Sequence, residues 1–219
     1  MEQHVVMSVV VTVAAAAVAL PIGVWLGHVG RGGPLAVNVS NIGRAVPSFA
    51  VLVIAEQVSG EIGAVPAFAA LFLLAMPPIL TNAYTGVRGV DPELREASEG
   101  MGLTPMQTLV RVELPLALPL IMAGVRTAAV QVVATATLAA VVAWGGLGRY
   151  IVDGLGARDD VQIFAGAVMV LVLAFGTELA LGLVQRWLTP RGVRPTRPGP
   201  PDVVKNEPFA GAAEVLGPV

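Results

Sequence analysis

Cysteine is absent from the 219 residues, and lysine occurs once, at Lys205. The first absence excludes a disulfide framework, an iron–sulfur centre and a thiolate zinc site. The second excludes a G-x-x-x-x-G-K-[ST] phosphate loop, because Lys205 is followed by Asn206. Any ATP hydrolysis tied to this chain must therefore take place in another one. Charge is scarce as well: 13% of residues are charged, whereas soluble domains carry roughly 25%. A net charge of −2 leaves no basic footprint for nucleic acid. Neither His4 nor His28 has an evident acidic partner in sequence, and G-x-S-x-G and H-E-x-x-H are both missing. No catalytic residue, no metal site and no cofactor in this chain are expected. The N-terminus lacks the basic region of a signal peptide, and its apolar run is too long for one.

What the chain has is apolar surface. Hydrophobic residues make up 55% of it, and mean hydropathy is +0.78. A domain of this size cannot hide that much apolar area from water, so a lipid bilayer is the expected surroundings. A membrane helix needs about 20 mostly apolar residues. Five stretches qualify: about 5–27, 39–58, 65–85, 116–144 and 162–187. They are expected to be helices, since open strands leave backbone groups unpaired in lipid. The fold class expected is an all-α membrane bundle of five helices over residues 1–188.

Basic residues orient the bundle. With the N-terminus outside, every one of the 13 basic residues except Arg149 and Arg158 falls on the inner side. The positive-inside rule then places the chain in the cytoplasmic membrane, N-terminus outside and C-terminus in the cytoplasm. Residues 189–219 carry Pro190, Pro195, Pro198, Pro200 and Pro201 and little apolar surface. They are expected to be a disordered cytoplasmic tail.

The inner segment 86–115 differs from a plain connector. Asp91-Pro92-Glu93 starts a helix: Asp caps, Pro takes the first helical position, and Glu93 favours the positive end of the dipole. Gly100 and Gly102 break it. Thr104-Pro105 starts a second short helix by the same logic, expected to stop at Leu114-Pro115. Two capped helices at a glycine bend predict a compact cytoplasmic knob.

Glu96-Ala97-Ser98, three residues, Gly102, nine residues, then Val112-x-Leu114-Pro115 resembles the EAA loop of binding-protein-dependent ABC importer permeases. Ser98 and Val112 stand where that pattern has alanine and isoleucine. The resemblance implies that Glu96, Ala97, Ser98 and Gly102, with Leu114 and Pro115 behind them, form the contact with a separate ATPase. It extends over about residues 5–188 and is closest to the osmoprotectant subgroup, which carries glycine betaine, choline and carnitine. The stretches 45–50, 77–86, 90–92, 124–128, 135–140 and 145–148 carry that part of the likeness. Methionine permeases share the fold and some of these stretches, so methionine or another small amino acid is the alternative solute. The resemblance further implies two ATPase subunits, a second permease copy (identical or paralogous) and an extracytoplasmic substrate-binding protein.

Polar residues at membrane depth complete the reading. Glu178, in the fifth expected span, is expected to form a buried ion pair with Arg126 in the fourth. Ser48, Asn82, Tyr84, Gln131, Thr135 and Thr137 are candidates for a translocation path, and bonding between helices suits them equally well. Gly23-x-x-x-Gly27, preceded by Ala15, Ala16 and Ala19, permits close helix approach. The Gly145–Gly148 run reads either as a gate at the outer mouth or as a turn. Two other classes compete with a permease, an intramembrane enzyme and a structural or channel protein; the channel gives the 96–115 knob no role.

Overall fold

The computed structural model describes residues 1–34, 38–39, 41, 43 and 47–189. The described residues form α1 (Glu2–Val29), α2 (Ser48–Ser59), α3 (Ala64–Arg88), α4 (Pro92–Gly100), α5 (Pro105–Ala140), α6 (Gly148–Ala157) and α7 (Asp160–Leu188). No strand occurs among them.

Among the described residues four helices are long and apolar enough to cross a membrane: α1, α3, α5 and α7, with 28, 25, 36 and 29 residues. At about 1.5 Å per residue the shortest of them exceeds a hydrocarbon core of about 30 Å. They account for the first, third, fourth and fifth expected spans. The second departs from expectation. Pro47 is extended (φ −63°, ψ 125°), and α2 starts only after it, running 12 residues to a left-handed Gly60. A 12-residue helix covers about 18 Å, so no single helix spans 39–58. Arg44 and the expected tail beyond Thr189 lie outside the described residues.

α1 packs most extensively on α3, and α3 in turn on α5. The reason is visible in the sequence. Met7, Val11, Ala15, Ala19, Gly23 and Gly27 recur every four residues and are all buried. Residues four apart lie on one face, so α1 presents a stripe that narrows to bare backbone at its C-terminal end. A Cβ on Gly23 would stand 2.7 Å from the Leu80 carbonyl oxygen and 2.8 Å from Ala83 Cβ. One on Gly27 would stand 2.8 Å from the Tyr84 carbonyl oxygen. Without a hydrophobic effect between helices in lipid, this close backbone approach supplies the packing attraction.

The ends of the bundle are tied differently. At one end His4 is buried on α1; its Nε2 lies 2.9 Å from the Val133 carbonyl, and its Nδ1 accepts from the Leu147 amide at 3.2 Å. The Gly145–Gly148 run there is a turn between α5 and α6, with Gly146 at φ +87°. Added Cβ atoms at Gly145 and Gly148 would strike the Gln3 amide and the Thr137 carbonyl. α6 itself, read from sequence as part of an outer loop, docks on α7. At the opposite end Gln185 of α7 donates to the Pro119 carbonyl of α5 at 2.9 Å. The C-terminal ends of α1, α3 and α7 thus share the side from which α5 starts.

Candidate coupling site

The knob between α3 and α5 is built from three local devices. Asp91 accepts the Glu93 amide at 2.9 Å and caps α4, with Pro92 at the first helical position. α4 ends in a paired bonding pattern: the Gly102 amide donates to Glu99 O at 2.9 Å and the Leu103 amide to Ser98 O at 3.1 Å. That arrangement requires a left-handed residue after the helix, and Gly102 supplies it at φ +82°. Thr104 and Gln107 then form a reciprocal capping box, with Thr104 N to Gln107 Oε1 at 2.9 Å and the Gln107 amide to Thr104 Oγ1 at 3.4 Å.

The second short helix does not stop at Leu114-Pro115. It continues into the span as one 36-residue helix, α5. Pro115 has no N–H to offer the preceding turn, and its ring would press on the carbonyl four residues back. Leu109–Glu113 resolves the conflict by widening into a π-helical turn, in which the Leu114 amide reaches back to Leu109 O. The second short helix of the knob and the span are therefore one continuous helix.

The face turned away from the bundle is mixed. Glu93, Glu96, Ala97 and Glu99 are exposed, as are the apolar Leu94, Met101 and Met106, Met101 at 72%. Ser98 points inward instead, buried, with its hydroxyl donating to Leu94 O at 2.6 Å. Of the six expected contact residues, Glu96, Ala97 and Gly102 lie on the open face. Ser98, Leu114 and Pro115 support it from behind.

At the base of the knob, Glu113 is 1% exposed. Its Oε2 accepts from His28 Nδ1 in the last turn of α1 at 2.7 Å, and its Oε1 lies 3.1 Å from Arg95 Nε of α4. Arg95 also donates through Nη2 to the Val87 carbonyl of α3 at 2.5 Å. His28 does have an acidic partner, contrary to the expectation from sequence; the two are 85 residues apart. The one available signal was a carboxylate set between Val112 and Leu114 in an apolar stretch, where a charge requires a partner.

Arg126 Nε and Glu178 Oε1 are 3.2 Å apart, linking α5 to α7. The pair is not buried within the chain, however: the side chains are 32% and 43% exposed.

The six path candidates do not converge. Ser48 and Thr135 line one cavity of about 10 Å³ with Leu52 and Leu71, room for at most a single water. Asn82 turns back to the Pro78 carbonyl at 2.8 Å, and Thr137 to the Ala134 carbonyl at 2.8 Å. Tyr84 packs over the glycine stripe of α1, its carbonyl facing Gly27. Gln131 is half-buried on α5. A larger groove of about 330 Å³ lies between α1, α5 and α7, lined by Val9, Val13, Val125, Val133 and Leu181 among others. It contains none of the six.

The four long apolar helices and the capped knob define a polytopic membrane component with a compact helical knob at one end. Residues 19–192 match the family described as the inner membrane component of binding-protein-dependent transport systems, and the chain belongs to that family. It is 40% identical over 192 residues to the choline transport system permease protein OpuBB of Bacillus subtilis, covering 88% of each chain. It is 41% identical over 197 residues to the carnitine transport permease protein OpuCB of Listeria monocytogenes, covering 90% of each. Among solved structures, an inward-facing MetNI methionine ABC transporter chain superposes with a TM-score of 0.74 at 25% identity, covering 86% of this chain and 94% of that one. The chain is thus a permease subunit of a transport system.

Proposed function

We propose that this permease subunit admits quaternary-amine osmoprotectants (glycine betaine, choline, carnitine) across the cytoplasmic membrane by alternating access. It acts with two ATPase subunits, a second permease copy and an extracytoplasmic binding protein. The N-terminus and the Gly145–Gly148 turn face outward; the knob and the end of α7 face the cytoplasm. The observation that carries the machine assignment is the doubly capped knob, whose open face holds Glu96 and Gly102 and whose second helix is the foot of a span. A rod of that kind turns a rigid-body movement of a docked ATPase into rotation of α5. The distribution of basic residues supports the orientation. The solute class is supported by the named solutes of the relatives near 40% identity.

Reconstitution with the cognate ATPase and binding protein in proteoliposomes tests the assignment. Uptake of labelled choline, betaine or carnitine should require ATP inside and binding protein outside, and excess methionine should not compete. Uptake of methionine alone would favour the amino-acid reading, which the MetNI likeness supports. Solute flux without ATP would favour a channel.

A further inference from the structure

The knob is joined by the chain itself to α3, through Gly89 and Val90, and to α5, through the π-helical turn. It has no short route to α1, which is reached along the chain only by way of α3. We propose that Glu113 supplies the short route: it is the positioning residue that makes the first span move with the coupling knob. This rests on residues 96–102 being the ATPase contact.

Three elements meet at this one carboxylate, and a fourth is joined to it through Arg95. Glu113 belongs to α5, His28 to the last turn of α1, and Arg95 to α4; Arg95 holds the Val87 carbonyl at the end of α3. The two carboxylate oxygens are divided between the partners, Oε2 facing His28 and Oε1 facing Arg95. Because a carboxylate only accepts, the His28 Nδ1 must carry the proton it shares. The group is sealed from water at 1% exposure, so neither contact is easily replaced by solvent, and screening within it is weak. Local packing makes the same joint stiff. Beside His28, Gly27 brings the α1 backbone against Tyr84 and Val87 of α3. Arg95 Nε makes no hydrogen bond; what faces it is Glu113 Oε1, an ion-pair contact at 3.1 Å. The position inside the π-helical turn matters too: it is the one turn of α5 that belongs to both knob and span. A displacement of the knob by a docked ATPase reaches α5 through the backbone and α1 through this carboxylate. Glutamine at 113 has the same shape but presents an N–H₂ group to one of two donors, so one of the links must open.

The experiment uses the assembled importer, with its ATPase and binding protein. The native chain has no cysteine, so Val29→Cys and Glu93→Cys place spin labels at the end of α1 and on the knob with no competing thiol in this chain. Both positions are exposed, and neither belongs to the proposed contact from Glu96 to Gly102. In the otherwise native permease the distance between labels should be the same in nucleotide-free and ATP-trapped states. In Glu113→Gln it should change between states, and solute moved per ATP hydrolysed should fall at least five-fold while hydrolysis continues. His28→Phe, which cuts only the link to α1, should do the same, and it serves where Glu113→Gln does not assemble. An unchanged transport ratio with an unchanged label distance in either variant overturns the proposal. A native permease that retains no ATPase would instead overturn the reading of the knob, leaving Glu113 a packing group.

Discussion

Arg126 of α5 and Glu178 of α7 meet at 3.2 Å, with 32% and 43% of their side chains left open. Each neutralises a charge that would be expensive alone at membrane depth. Losing either partner leaves the other charge unpaired at that depth. Glu178→Gln and Arg126→Gln should each lower the melting temperature of the purified protein. The double substitution should lose less than the two single losses added, with a coupling of about 1 kcal/mol. Strict additivity in the melting curves would show that the contact does nothing for stability.

The glycine stripe of α1 gives a sharper steric test. Gly23→Ala puts a methyl 2.7 Å from the Leu80 carbonyl oxygen, and Gly27→Ala puts one 2.8 Å from the Tyr84 carbonyl oxygen. Backbone cannot swing aside as a long side chain can, so the helices must separate. The expected cost is about 1–3 kcal/mol for each substitution. Gly156→Ala on α6, where nothing lies within 4 Å of the new atom, should stay within about 0.5 kcal/mol. Denaturation in detergent separates the three variants, and equal stabilities would remove the stripe from the account of the fold.

How much of this was legible in the sequence depends on the range of the interaction. Asp91-Pro92 and Thr104-Pro105 act within three residues of themselves, and both caps occur where the spelling places them. Gly102 is a bend for a reason equally local, the left-handed end of α4. The apolar runs of α1, α3 and α7 speak through composition alone. Failure begins where distant atoms decide. Leu114-Pro115 spells a stop, yet packing carries the helix past it by borrowing a π-helical turn. His28 and Glu113 are neighbours only because α1 and α5 end on the same side. Pro47 sits inside an apolar run whose hydropathy hides the break it makes. The path candidates were chosen for polarity at depth, and Asn82 and Thr137 satisfy that polarity on their own helices.

His4 closes the end of the bundle opposite the knob. Its ring spans the Val133 carbonyl and the Leu147 amide, and it is 1% exposed. With Nδ1 accepting, Nε2 must carry the proton given to Val133. His4→Phe keeps an aromatic ring but leaves the buried Leu147 amide without an acceptor, a loss of about 1–3 kcal/mol. The Gly145–Gly148 turn should then open before the bundle melts. Limited proteolysis at Arg149 together with a thermal melt measures both: faster cleavage below the melting temperature is expected, and native cleavage rates would show that His4 does not hold the turn.

Gly102 offers the cleanest separation of folding from docking. Its φ of +82° is demanded by the end of α4, but nothing lies within 4 Å of where a Cβ would go. A substitution there meets no atom of the chain itself. Asn and Asp are the residues after glycine that best tolerate this conformation, so Gly102→Asn and Gly102→Asp should both insert and melt within about 1 kcal/mol of the native protein. What they change is the open face beside Glu96, Met101 and Met106. Aspartate adds bulk and a further negative charge to a surface that already exposes Glu93, Glu96 and Glu99; asparagine adds the bulk alone. If this face seats an ATPase, Gly102→Asp should lose most of the co-purifying ATPase and solute uptake at matched expression. Gly102→Asn should lose less, by the share that charge contributes. Raised salt in the pull-down should narrow the gap between the two, because exposed charges are screened. Wild-type ATPase recovery and uptake in Gly102→Asp would mean that the partner docks elsewhere, and the knob would have to be explained by the fold alone.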